Sequence, residues 1–164
     1  MNNRLRIFWV IHFSLLVGLM LMIFPLPDWA EPFRPDWVSL ILIYWCMALP
    51  FHAGLGTGLA LGLLLDVAMG TLLGQHALGL TLLTFIILKN HQRFRIYPPI
   101  QQSIIVMFVL LAKQLLFLWI YGITNRAPAS LFIYFMPSFI SMILWPWVAA
   151  IMRDIHYRFL PAFR

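Results

Sequence analysis

Two charged residues in this sequence stand where charge is expensive. Asp66 interrupts the apolar run Gly54–Gly74 (GLGTGLALGLLLDVAMGTLLG), and Lys113, followed by Gln114, interrupts the apolar run Ile100–Tyr121. A charge at the centre of a lipid-embedded helix costs at least about 2.5 kcal/mol on the most lenient insertion scale, so each must face protein or water. The chemistry open to Asp66, Lys113 and Gln114 is an ion pair between two helices, or a polar pocket that takes a small ligand. Lys113 has a third option, because a lysine about two turns from the helix end at Tyr121 can snorkel outward.

Arrangements that carry out reactions are missing. His12, His52, His76, His91 and His156 are scattered, with no two at ligand spacing on one helix. The sequence contains no G-x-S-x-G, no H-E-x-x-H and no phosphate-cradling glycine loop with a following lysine. Cys46 is the single cysteine and sits in an apolar run, which excludes a disulfide framework and a cysteine metal site. The expectation is a protein with no catalytic residues, no metal and no cofactor.

Around Asp66 the small residues recur at every fourth position: Gly54, Gly58, Gly62, then the acid, then Gly70 and Gly74. On a helix such a row forms a groove, drifting by roughly 40° per step and favouring a right-handed crossing by whatever lies in it. The occupant is either another helix of this chain or the transmembrane helix of a partner.

The elements that position these residues are membrane helices. Of 164 residues, 63% are hydrophobic and only 10% charged, against about 25% charged in a typical soluble domain. One transmembrane domain over residues 1–164 is expected. The net charge of +6 is explained by topology and anionic lipid rather than by nucleic acid.

The run Ile7–Phe24 is longer than a signal-peptide core and reads as an uncleaved first span. The loop Asp28–Asp36 follows, bracketed by Trp29 and Trp37 as at a headgroup interface. Pro35 suits the first turn of a second helix that runs to about Leu49. That helix, at roughly 22 Å, falls short of the ~30 Å hydrocarbon core, as does the glycine-rich third. The pair therefore reads either as full spans in a thinned bilayer or as a shielded re-entrant hairpin. A fourth span is expected at Ala77–Leu88, then a basic loop, Lys89–Pro99. A fifth covers Ile100–Tyr121, then a small loop, Gly122–Ser130. A sixth covers Leu131–Met152, with Pro137 and Pro146 inside it, and the tail Arg153–Arg164 closes the chain.

The expected fold is an all-α integral membrane bundle of about six transmembrane helices, the second and third short. The N-terminal segment, the Lys89–Pro99 loop and the tail hold eight of the eleven Lys and Arg, which puts both termini in the cytoplasm.

The run EPFRPDWVSLILIYWCMALP (Glu31–Pro50) resembles the first loop and second helix of the MreD family of rod shape-determining membrane proteins. GTGLALGLLLDVAMGTLLGQHAL (Gly56–Leu78) resembles its glycine-and-aspartate segment, and ILWPWVAAIMR (Ile143–Arg153) its last span. The resemblance covers nearly the whole chain. Arg34, Pro35, Trp37, Gly58, Gly62, Asp66 and Gly70 enter as motif positions, with no catalytic residues to carry over. It implies a non-catalytic scaffold in the bacterial inner membrane that binds MreC within the cell-wall elongation machinery. MreB, RodA and a penicillin-binding transpeptidase belong to the same assembly. It also implies similarity to the S-component fold of energy-coupling-factor transporters. The alternative function is therefore the substrate-binding subunit of a vitamin-type transporter, with Asp66 and Lys113 lining its site.

Overall fold

The computed structural model describes residues 3–124 and 130–160, and among them the chain is all helical. Six helices follow one another: α1 (Asn3–Ile23), α2 (Trp37–Ala48), α3 (Leu55–Met69), α4 (Gln75–Ile96), α5 (Pro99–Ile123) and α6 (Leu131–Phe159). A 3-10 turn, Glu31–Phe33, precedes α2. Three stretches are long and apolar enough to cross a membrane: Leu5–Ile23, Pro99–Ile123 and Leu131–Phe159. Arg126 and Arg164, two of the charges counted for orientation, lie outside the described residues.

The shortest helix is the core of the bundle. Nine of the twelve residues of α2 are buried, from Val38 to Met47, and it packs against α1, α4, α5 and α6. A helix apolar on every side has no solvent face to show, so the other helices enclose it. Trp45 and Cys46 in its last turn are wholly buried. The Trp45 indole donates to Ser14 Oγ of α1 at 2.7 Å, and that hydroxyl donates to the Ile11 carbonyl at 2.8 Å.

The shortness of α2 has a specific cause. Its first turn lies level with Lys113 and Ser141, through contacts made by Asp36. Lys113 is ten residues before the end of α5, and Ser141 ten residues into α6. At 1.5 Å per residue, α2 begins about 15 Å in from the neighbouring ends of α5 and α6. The chain between α1 and α2 thus descends into the protein before the helix starts. Irregular backbone at such depth survives only where protein or a polar cavity satisfies it, and both conditions are met here. The other end of α2 reaches the basic end of the bundle, where Tyr44, Met47 and Ala48 share a cavity with Arg95 and Arg153.

Three boundaries differ from the sequence reading. Pro35 precedes the helix instead of occupying its first turn, because Asp36 takes the N-cap position. The basic segment expected as a loop, Lys89–Pro99, is mostly the end of α4, which stops only where Tyr97 meets Pro98. A residue before proline is pushed out of the helical region, which explains the stop. The tail also continues α6 to Phe159, stapled by the Arg158–Asp154 pair at 2.9 Å.

Candidate functional site

Asp66 and Lys113 do not pair with each other; each has another partner. Lys113 donates to the carboxylate of Asp36 and to Ser39 Oγ, the latter at 2.9 Å. Asp36 is the hub. Its Oδ1 accepts from the Ser39 amide at 3.1 Å and caps α2, while its own amide donates to Ser141 Oγ of α6 at 3.0 Å. One residue therefore starts α2 and neutralises Lys113 of α5 with its carboxylate, and reaches α6 with its backbone amide. Its burial is tolerated because the charge is paired and its oxygens are hydrogen-bonded.

Asp66 serves the turn between α3 and α4. Its carboxylate accepts from the amides of Gly74 and His76, both at 2.8 Å, and of Ala77 at 3.4 Å. It also accepts from Thr71 Oγ1 at 2.9 Å and from His76 Nδ1 at 2.8 Å. Those amides are the unpaired donors at the start of α4, and Gly74, its N-cap, has no side chain to offer them. The acid of one helix thus caps the next and meets the positive end of its dipole. With its side chain wholly inaccessible, Asp66 is placed to hold structure and not to meet a substrate.

The glycine row divides into separate duties. A methyl group at Gly62 would overlap the backbone of Ala77 and come within 2.6 Å of the His76 carbonyl oxygen. One at Gly58 would lie 2.5 Å from Thr84 Oγ1 and 3.1 Å from the Leu80 carbonyl oxygen. The occupant of the groove is therefore α4 of the same chain. Gly70 and Gly74 do not belong to the groove. They are the cap residues of the turn, at φ 62° and 101°, where a side chain would be strained. Gly54 has open space around it and stands at the start of α3.

Gln114 ties α5 to α6. Its amide donates to the Tyr134 carbonyl at 3.1 Å, its Oε1 accepts from Ser138 Oγ at 2.6 Å, and its carbonyl accepts from the Tyr134 hydroxyl at 3.0 Å. Pro137 lies inside this clasp and cannot donate to the preceding turn, and Gln114 holds Tyr134 and Ser138 on either side of it.

The motif loop closes the other wall. Arg34 donates to the carbonyls of Met22 and of Phe24, the latter at 2.8 Å, and so caps the end of α1 with a positive charge. Trp37, in the first turn of α2, brings its backbone against Gly18 of α1. A cavity of about 280 Å³ is lined by Glu31, Arg34, Asp36, His76, Lys113, Gln114 and Tyr134 among others, and Trp37 lies outside it. Asp66 is not part of its lining, but His76, which Asp66 orients, is.

Two members of this constellation escaped the sequence reading. Asp36 enters the sequence reading only as the end of the first loop, although an acid three residues before Ser39, directly after a proline, is a helix-start pattern. His76 carried no spacing signal, since its partner lies across a turn.

Comparison with known proteins places these observations in a family. The model of the rod shape-determining protein MreD matches residues 3–155. A rod shape-determining protein MreD of Haemophilus influenzae is 32% identical over 160 residues, covering 94% of this chain and 96% of that protein. No solved structure matches.

Proposed function

The chain belongs to the MreD family of rod shape-determining proteins, and on that premise we propose that it is a non-catalytic scaffold of the cell-wall elongation machinery. It sits in the bacterial inner membrane as six spans with both termini cytoplasmic, in an arrangement akin to transporter S components. It binds MreC and, through it, stands with MreB, RodA and a penicillin-binding transpeptidase. The observation that supports a scaffold is the state of the buried charges. Asp36, Asp66 and Lys113 are each engaged in fixing one helix to another, so the polar groups stabilise a shape instead of waiting for a substrate. Because α4 fills the glycine groove, the surface that meets MreC lies elsewhere on the bundle.

Depletion in the native bacterium, with imaging of cell outline and new wall insertion, tests the role. Loss of rod shape with dispersed insertion is expected, and cells that stay rods with normal sidewall labelling would falsify it. Co-purification of MreC with the tagged chain tests the partnership, and a chain that inserts and folds yet brings down no MreC counts against it.

The cavity beside Lys113 favours the alternative, a vitamin-type transporter subunit. That reading requires neighbouring genes for an ATPase pair and a coupling membrane subunit, whereas genes for MreB and MreC alongside support the scaffold.

A further inference from the structure

A second polar cavity lies at the opposite end of the bundle from Asp66, and no contact described so far uses it. It holds about 270 Å³, and its polar lining is Tyr44 of α2, Arg95 of α4, Gln102 of α5, and Arg153, His156 and Tyr157 of α6. Two arginines from different helices thus line one cavity, and no acid lines it with them. The nearest acid in sequence, Asp154, is engaged by Arg158 at 2.9 Å. The other four acids of the chain, Asp28, Glu31, Asp36 and Asp66, belong to the first loop and to the far end of α3.

The floor is built and polar. Gln102 donates to the carbonyls of Phe94 and Tyr97 at 3.1 and 3.0 Å and accepts from the Trp145 indole at 3.2 Å. It thereby fixes the last turn of α4, the turn that carries Arg95. His156 is 5% exposed, with Nδ1 3.4 Å from the Tyr44 hydroxyl, and Nε2 has no hydrogen-bond partner among the described residues. The remaining wall is apolar, made of Met47, Ala48 and Ala149. A ligand for such a site carries a dense negative charge on one side and hydrocarbon on the other.

We infer that this cavity binds the phosphate of an anionic phospholipid headgroup, with Arg95 and Arg153 as its charged ligands. Planar guanidinium groups match phosphate oxygens in pairs. Basic pockets between membrane helices are where such headgroups lodge, each arginine near the surface adding to the attraction. The phosphate could also be supplied free in solution, and the test separates the two sources.

The test uses the full-length purified protein in detergent and reads bound lipid by native mass spectrometry and by thermal stability. Phosphatidylglycerol or cardiolipin is expected to be retained and to raise the unfolding temperature, while phosphatidylcholine is not. The double variant Arg95→Gln with Arg153→Gln is expected to weaken anionic-lipid retention by about tenfold or more. Lys89→Gln with Arg93→Gln removes the same charge outside the cavity and is expected to change retention less than about threefold. Equal losses in the two double variants would reduce the effect to general surface charge and overturn the site. So would a wild-type protein that holds phosphatidylcholine as well as phosphatidylglycerol. Stabilisation by inorganic phosphate alone, dependent on Arg95 and Arg153, would keep the site and overturn the lipid as its source. Both arginines are exposed, so a variant that fails to fold is not expected, and size-exclusion behaviour checks this.

Discussion

Lys113 of α5 and Asp36 at the start of α2 form an ion pair in the interior of the bundle, with Ser39 Oγ accepting from the same ammonium at 2.9 Å. The pair settles a problem posed by the length of α2. A helix that begins inside the bundle exposes unpaired amides at depth, and its positive end needs a negative group. Asp36 supplies both the cap and the charge, and Lys113 then makes the buried acid affordable.

That logic has a double-mutant signature. Asp36→Asn keeps a good capping residue but leaves Lys113 as an unpaired buried cation, and Lys113→Met leaves an unpaired carboxylate. Each single change is expected to cost about 3–5 kcal/mol of unfolding free energy. The combination, neutral at both positions, is expected to cost clearly less than their sum, with a coupling of at least about 1 kcal/mol. Unfolding in detergent measures all four corners. The same cycle between Asp66→Asn and Lys113→Met is expected to be additive within about 0.5 kcal/mol; coupling there as large as at Asp36 would mean that Lys113 pairs with Asp66.

Asp66 is expected to be needed for the α3–α4 turn and not for any reaction. Asp66→Ala strands the donors of Gly74, His76 and Thr71, each now bonded to the carboxylate, and a loss on the order of 3 kcal/mol follows. Asp66→Glu offers no escape, because the added methylene displaces oxygens already at 2.8 Å from two amides. Hydrogen exchange localises the effect. Faster exchange in the first turn of α4, with the rest of the bundle still protected, is the expected pattern. Unchanged exchange there would remove the capping role.

The glycines separate by where their missing side chains would point. Gly62→Ala drives a methyl group into the Ala77 backbone, which cannot swing aside, and is expected to cost about 1–3 kcal/mol. Gly56→Ala meets nothing within 4 Å and is expected to be neutral or to stabilise by up to about 1 kcal/mol. Thermal unfolding of the two variants side by side decides the matter. Equal tolerance at both positions would mean that α3 and α4 are not in close contact.

How much of this was legible in the sequence depends on the range of the interaction concerned. The membrane class, the helix count and the expensive charges follow from composition and from runs of apolar residues. The partners of those charges do not. Lys113 lies 77 positions from Asp36, and nothing local distinguishes Asp36 from Asp28 or Glu31 except the capping pattern with Ser39. Regular spacing was also misleading, because Gly58 and Gly62 serve packing while Gly70 and Gly74 serve a turn, and all fall on one four-residue rhythm. The basic stretch after Leu88 read as a loop because charge suggests exposure, yet Arg93 and Arg95 sit comfortably in the last turn of α4, where cations suit the negative end of a helix.

The last expectation concerns how the short helices cross. Were α2 and α3 a re-entrant hairpin, Phe51 at their connection would remain in the membrane or return to the side it left. In the structure α2 ends beside Arg95 and Arg153, and Phe51 stands clear of the other helices. Trp29, 76% exposed, lies in the connection between α1 and α2, at the opposite end. Single cysteines test this in a background of Cys46→Ser, a mild change because the native thiol is buried and bonded to the Ala53 carbonyl. On the proposed orientation, with the basic end in the cytoplasm, Trp29→Cys is expected to react with a membrane-impermeant maleimide in intact spheroplasts. Phe51→Cys is expected to react only after permeabilisation. Labelling of both positions from outside would make the hairpin re-entrant, and reversal of the pattern would invert the bundle. Protection of Phe51→Cys even after permeabilisation would place the connection within lipid, as a re-entrant hairpin requires.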